Sequence, residues 1–242
     1  MYSKCSSVLL DIDADFMLDN DYNYSSWSNE RRKSKIVVSG KELGNTLKRF
    51  IKKDTDIILE IDHHESLYWW DGYSINDALC IHIDAHHDMW GQDWCGGGIY
   101  EGQRGNVDCG NYLQQALVDD IVKQVVYVPS GFRKTSYEEK DIKENLSYSS
   151  HKRRIEVCSW KNFQKDIKKY PKADLITICV SPEWFPRQHW KHLQDLAEVL
   201  EANPTDIKKI KVRAIKKWRA MKYRNDKSFV FPYEYVGELE EM

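Results

Sequence analysis

The sequence predicts an α/β fold of three layers, α-β-α, with helices on both faces of a mainly parallel sheet. Short apolar runs typical of buried strands alternate with segments whose apolar residues recur at helical spacing. This alternation favours parallel strands that are covered on both faces. The 242 residues contain no internal repeat and no clear linker, so we expect a single domain spanning residues 1–242.

Six apolar segments are the candidate strands, and each is bounded by polar or turn-forming residues. They span residues 8–16, 56–61, 78–81, 125–129, 155–157 and 175–180. Apolar residues three or four positions apart predict the helices. These cover residues 39–53, 66–72, 110–117, 162–170 and 188–202, and a basic helix at about 206–224 is packed on or flanks the domain. The composition of residues 134–150 predicts polar surface.

Composition excludes several classes of function. The formal net charge of −2 gives no reason to expect nucleic acid or an anionic membrane as a partner. No apolar run approaches the roughly 20 residues that a membrane-spanning helix needs, and we see no signal peptide. The six cysteines contain no CxxC pair, which argues against a zinc ribbon and favours free thiols in a cytoplasmic protein.

Acidic residues and histidines follow three of the predicted strands. In parallel sheets the binding site lies at the carboxyl ends of the strands, so the three clusters are expected at one edge. Asp residues two positions apart share one face of an extended chain. The clusters are Asp11/Asp13/Asp15, His63/His64 and Asp84/His86/Asp88.

Each cluster alone has an ordinary explanation. A DxDxD run is also found in solvated loops and calcium loops, and a pair of histidines is often structural. Three clusters at one edge instead predict a metal site, because buried charges need compensation. A set rich in carboxylates with one or two imidazoles suits Mn²⁺ and, less well, Zn²⁺. Four Asp and two His would suit two bridged ions about 3.5 Å apart.

The same clusters carry a family resemblance. The segment 84–88, DAHHD, resembles the DAHxD motif of the arginase/agmatinase (ureohydrolase) superfamily. Asp62-His63 resembles the DH of its GGDHS motif, with Glu60 and Ile61 in place of the two glycines. The segment 13–15, DAD, resembles the DxD of its SFDVDxLDP motif. That motif follows DAHxD in ordinary arginases but comes first here, which implies an arginase/deacetylase-like fold with permuted motif order.

The combination of LDIDADF, DHHE, HIDAHHDM and GNYL resembles an arginase-like family that includes the peptide arginases of ribosomal peptide natural-product biosynthesis. The resemblance implies a hydrolase that converts arginine residues of a precursor peptide to ornithine and releases urea. It therefore implies an arginine-containing peptide as partner and two Mn²⁺ ions per chain as cofactor. Homo-oligomerisation stays open.

The resemblance also implies roles for individual residues. Asp84 and Asp13 would bridge the two ions, and Asp88 would also orient the attacking water. An assignment of Asp11 and Asp13, in place of Asp13 and Asp15, stays open at this stage, and Asp11 is otherwise expected to support the ligands. The implied metal ligands are Asp13, Asp15, His63, Asp84, His86 and Asp88.

Four further residues are candidates for catalysis or substrate binding. Glu183 resembles the family carboxylate that pairs with the guanidinium, although an ordinary loop glutamate is an equal alternative. His87 or His64 would protonate the leaving amine, and Asn111 would contact substrate. The long polar segment 19–36 and the glycine-rich segment 91–110 are expected to be a lid and an active-site loop.

Three other functions remain open. The chain could be a small-molecule ureohydrolase, or a zinc-dependent deacetylase-like amidohydrolase. It could also be a non-catalytic, metal-stabilised module that binds peptides through its aromatic residues and its basic helix. The basic helix has the simpler explanation of a solvated surface helix.

Overall fold

A computed structural model describes residues 5–19, 34–90, 107–130, 135–145 and 154–224. Within these ranges, six strands form one sheet in the order β2-β6-β1-β3-β4-β5, and every pair of neighbours is parallel. The strands are β1 Val8–Asp13, β2 Asp56–Glu60, β3 Ala78–Asp84, β4 Val122–Pro129, β5 Ile155–Val157 and β6 Leu175–Cys179. The predicted parallel sheet is therefore confirmed.

Helices cover both faces of the sheet and give three layers. They are α1 Gly40–Leu47, α2 Glu65–Gly72, α3 Tyr112–Val118, α4 Thr135–Asn145, α5 Trp160–Asp166, α6 Trp190–Val199 and α7 Pro204–Arg224. One apolar core joins the sheet to α1, α5, α6 and α7, and the other joins it to α2, α3 and α4. The predicted α-β-α arrangement is thus confirmed.

The central strands are buried on both faces because their side chains alternate between the two cores. On β1, Leu10 and Ile12 enter the first core, whereas Leu9 enters the second. Asp11 points to the same face as Leu9, since the two are separated by two positions. The face that packs on α2 and α3 therefore carries acidic residues from β1 toward its carboxyl end.

Helices α1 and α6 pack very closely. Ser39 caps α1, its hydroxyl accepting a hydrogen bond of 3.2 Å from the Glu42 amide. A Cβ atom added to Gly44 would lie 2.8 Å from the Cβ atom of Val199, and one added to Gly40 would meet the His192 carbonyl oxygen at 1.6 Å. The two glycines are required by this helix contact.

One segment differs from the expectation drawn from composition. The polar segment 134–150 contains α4, which buries Ile142. The expected lid and active-site loop fall mainly on residues 20–33 and 91–106, which lie outside the described residues. Among the helices described, none combines the length and apolar character that crossing a membrane requires.

Candidate metal centre

The centre lies where the carboxyl ends of β1 and β3 meet in the middle of the sheet. These strands are direct neighbours, and β6 flanks β1 on its other side. Later strands of the chain are added on both sides of β1, so the strand order reverses there. Such a topological switch point leaves a crevice beyond the carboxyl ends of the strands. Residues that follow β2 and β6 complete the same edge.

The first acidic motif does not continue as a strand. β1 ends at Asp13, and Ala14–Met17 forms one turn of 3-10 helix. Asp13 caps this turn by accepting a 3.0 Å hydrogen bond from the Asp15 amide. The expectation that Asp15 continues the alternation of Asp11 and Asp13 is therefore wrong. The turn carries Asp15 toward β3, where it accepts a 3.3 Å hydrogen bond from the Ala85 amide.

The second motif also leaves the extended conformation early. β3 ends at Asp84, whose carboxylate accepts a 2.7 Å hydrogen bond from the His86 amide across a bend. Asp88 has a φ of 50°, in the left-handed region that short polar residues tolerate best. The bend, and not an extended face, brings Asp84, His86 and Asp88 to one place.

Three carboxylates converge on one nitrogen of His63. Its Nδ1 lies 3.2, 3.0 and 3.1 Å from the Oδ2 atoms of Asp13, Asp84 and Asp88. Neighbouring ligands of an octahedral ion with bonds of about 2.1 Å lie about 3.0 Å apart. Each of the three oxygens therefore lies at the distance from Nδ1 that separates two ligands of one cation, and Asp13, His63 and Asp84 form one of the groups that could hold an ion.

A second group lies on the other side of Asp84. His86 Nδ1 is 3.1 Å from Asp15 Oδ2 and 3.6 Å from Asp84 Oδ1. Asp84 thus presents Oδ2 to the first group and Oδ1 to the second. This is the arrangement expected of a carboxylate that bridges two ions.

Two further observations indicate that these side chains suit a bound cation. Both ring nitrogens of His63 and Asp84 Oδ2 are buried and make no hydrogen bond among the described residues, although they face charged groups. Burial and the nearby carboxylates of Asp13 and Asp84 raise the pKa of Asp15 to about 8, and burial and Asp84 raise that of Asp88 to about 6. A bound cation would remove this electrostatic cost, so these buried groups could hold a metal ion.

Asp11 lies deeper, beneath the ligand cluster. It is fully buried and accepts hydrogen bonds from the Thr177 and Tyr112 hydroxyls at 2.5 Å each. Burial alone would raise the pKa of Asp11, but the adjacent imidazoles of His63 and His82 outweigh it and hold the pKa well below its usual range. The carboxylate is therefore ionised and fixed in place.

The loop after β6 forms one wall of the crevice. The Ser181 hydroxyl donates to Asp13 Oδ2, and the Trp184 ring lies 4.7 Å from the His86 ring. Glu183, between them, is 30% exposed and pairs with Lys217 of α7 at 2.7 Å. The predicted guanidinium-binding carboxylate is thus beside the cluster, but it already contacts a cation.

Helix α7 packs against the loop after β6. Lys217 also pairs with Asp62, in the turn after β2. Burial alone would lower the pKa of Lys217, but Glu183 and Asp62 raise it above its usual value, so the ammonium stays charged. Trp218 donates its indole N–H to the carbonyl oxygens of Pro182 at 3.1 Å and Phe185 at 3.0 Å. The basic helix therefore packs against the site and is not merely a solvated surface helix.

The other candidate residues occupy different positions. His87 is buried, and its Nδ1 accepts a 3.0 Å hydrogen bond from the Met89 amide. Asn111 is fully buried at the start of α3, where its side-chain oxygen accepts a 2.8 Å hydrogen bond from the Asp108 amide. His64 directly precedes α2, and its ring centroid lies 6.1 Å from that of Tyr68. The catalytic role of His87 or His64 and the substrate contact of Asn111 stay predictions.

The sequence did not predict the polar residues that contact Asp11 and Glu183 and so support the cluster. Thr177 had a signal, since it is a hydroxyl inside the apolar run of β6. Ser66 and Tyr112 had none, because only helix packing brings them to Asp11. Lys217 had none either, since its partners are 155 and 34 positions away in sequence.

Comparisons with protein-family models, with curated proteins and with solved structures return no match to this chain.

Proposed function

We propose that this chain is a binuclear manganese hydrolase that cleaves the guanidinium group of arginine residues in a peptide, giving ornithine and urea. The motif resemblance to the arginase-like family supports the reaction. The donor set of carboxylates and imidazoles, without thiolate, supports Mn²⁺ as the metal. The described cysteines are all free, which supports a reducing cytoplasm as the compartment.

The observation that carries the proposal is the position of Asp84 between two ligand groups. Asp13, His63, Asp84 and Asp88 would hold one ion, and Asp13, Asp15, Asp84 and His86 would hold the other. A pair of such ions supplies a water of lowered pKa and polarises the group under attack. The rest of the reaction depends on residues of the chain itself.

Glu183 would orient the substrate. A carboxylate pairs with a planar guanidinium through two parallel N–H···O bonds, and Glu183 stands beside Trp184, whose ring contacts His86. Because Lys217 pairs with the same carboxylate, the guanidinium must share Glu183 with this ammonium or displace it. Lys217 has a second carboxylate in Asp62, so it can release Glu183 without losing every partner.

His87 would supply the proton to the leaving amine. Its Nδ1 accepts from the Met89 amide, so a neutral ring carries its proton on Nε2. Asn111 would act indirectly, because its side chain holds the turn that begins α3.

The test is incubation of the Mn²⁺-loaded chain with an arginine-containing peptide, followed by mass spectrometry. The expected product has lost CH₂N₂ from an arginine residue, and urea appears in equal amount. Asp206→Asn, which alters an exposed carboxylate of α7, is the control variant and should retain full activity. Conversion of free arginine but not of peptide would favour a small-molecule ureohydrolase, and release of acetate from acetyl-lysine peptides by the zinc-loaded chain would favour a deacetylase.

A further inference from the structure

Asp11 is the centre of a buried polar network below the ligand cluster. Its Oδ1 accepts from the Thr177 hydroxyl at 2.5 Å and the Ser66 hydroxyl at 2.9 Å. Its Oδ2 accepts from the Tyr112 hydroxyl at 2.5 Å and contacts His82 Nδ1 at 2.9 Å. These four partners come from β6, α2, α3 and β3, so four elements fix the carboxylate.

The network holds Asp11 in one orientation. Thr177 and His82 occupy the register positions opposite Asp11 on the two neighbouring strands. Rotation of the carboxylate would break hydrogen bonds on both sides in a fully buried site, which is costly. Each oxygen of Asp11 already has two of these partners, which argues against Asp11 as a metal ligand in place of Asp15.

His63 lies between Asp11 and the ligand cluster. Its Nε2 is 3.2 Å from Asp11 Oδ2, close enough for a hydrogen bond but not aligned for one, and its Nδ1 faces the carboxylates of Asp13, Asp84 and Asp88. A neutral imidazole carries one N–H. When that proton is on Nε2, the nitrogen beside Asp11, the lone pair of Nδ1 faces the three carboxylates. Negative charge then surrounds a lone pair, and a bound cation would make this arrangement favourable.

We propose that Asp11 is a positioning residue that accepts the Nε2 proton of His63 and thereby fixes the tautomer and ring orientation that present Nδ1 to the metal ion. Outer partners of this kind typically change metal affinity 10- to 100-fold. The inference rests on the metal-binding part of the proposed function and is independent of the arginine substrate.

The test is Mn²⁺ titration of the purified chain, with free Mn²⁺ measured by electron paramagnetic resonance. Asp11→Asn keeps the side-chain volume, and the Thr177 and Ser66 hydroxyls can rotate to accept from the amide. The amide oxygen then still faces His63 but without charge. We expect the Mn²⁺ dissociation constant to rise about 10- to 100-fold, while the circular dichroism spectrum of the metal-free protein stays unchanged.

Glu60→Gln is the matched control. Glu60 is fully buried and accepts a 2.6 Å hydrogen bond from the Ser66 hydroxyl, so it belongs to the same network, but it has no described hydrogen bond or ion pair with His63. Burial raises the pKa of Glu60 well above its usual value, although the charge of His63 opposes this, so Glu60→Gln replaces one neutral side chain with another. The dissociation constant should stay at the wild-type value in this variant. An equal loss of affinity in Glu60→Gln and Asp11→Asn would overturn the inference, because it would indicate a general effect on packing.

A second measurement reads the tautomer directly. In ¹⁵N NMR spectra of the zinc-loaded wild-type chain, His63 should carry a proton on Nε2, and Asp11→Asn should shift that resonance. A proton on Nδ1, or wild-type Mn²⁺ affinity in Asp11→Asn, would overturn the inference and leave the proposed function standing. A wild-type chain that binds neither Mn²⁺ nor Zn²⁺ would contradict both.

Discussion

At the scale of single residues, the described contacts distinguish Asp84 from Asp88. Both of its oxygens face a ligand group, Oδ2 toward His63 and Oδ1 toward His86. Asp88, by contrast, faces only the first group among the contacts described, through His63. The two aspartates therefore differ in the number of ions whose binding they should control.

The first prediction compares the two. Asp84→Ala should abolish the binding of both ions, because each group loses a ligand. Asp88→Ala should lower the affinity for one ion more than for the other. Metal content by plasma mass spectrometry after gel filtration measures both. Two tightly held ions in Asp84→Ala would refute the bridging role.

The second prediction concerns Glu183. Glu183→Gln should keep the metal content of the wild type and lower kcat/KM for an arginine peptide about 10- to 100-fold, the value of a charged hydrogen-bonded pair. Steady-state kinetics on the metal-loaded variant measures the effect. Unchanged kcat/KM would remove Glu183 from substrate binding and leave it as the partner of Lys217 alone.

At the scale of elements, the strands place the site and the turns shape it. Asp13, His63 and Asp84 could be predicted from the sequence because each stands at or just after the carboxyl end of an apolar run. The sequence predicts the correct edge of the sheet for Asp15 and Asp88 but the wrong local structure. A 3-10 turn and a bend replace the extended chain there. These turns are fixed by hydrogen bonds such as that between the Asp15 amide and Asp13, which no periodicity reveals.

The third prediction tests the contact between α1 and α6. Gly44→Ala should destabilise the fold by about 1–3 kcal/mol, because the added methyl overlaps Val199 in a packed contact, even though alanine favours helix. Gly72→Ala is the matched control, since no atom lies within 4 Å of the added Cβ. Urea unfolding measures both variants, and equal stability of the two would contradict the packing described here.

At the scale of the whole molecule, one edge of the sheet carries several buried carboxylates. The rest of the described fold supplies too few positive charges to balance them. Parallel topology brings the ends of β1, β2, β3 and β6 together, and this much follows from the alternating pattern of the sequence. The course of α7 does not, because the pairing of Lys217 with Glu183 and Asp62 depends on tertiary packing. A metal ion that binds only the folded chain should therefore stabilise the whole protein.

The fourth prediction follows from that linkage. Mn²⁺ at one hundred times its dissociation constant should add about 2.7 kcal/mol for one site, which raises the Tm of a chain of this size by about 5–10 °C. Differential scanning fluorimetry with and without chelator measures the shift. Mg²⁺ at the same concentration should give a smaller rise, because imidazole ligands favour the transition metal.

The central claim is a pair of metal ions that share Asp84, and the number of bound ions tests it most directly. The measurement is metal analysis of the wild-type chain after it is loaded with Mn²⁺ and freed of excess metal. We predict two manganese ions per chain, and none in Asp84→Ala. One ion per wild-type chain, or none, would contradict the account.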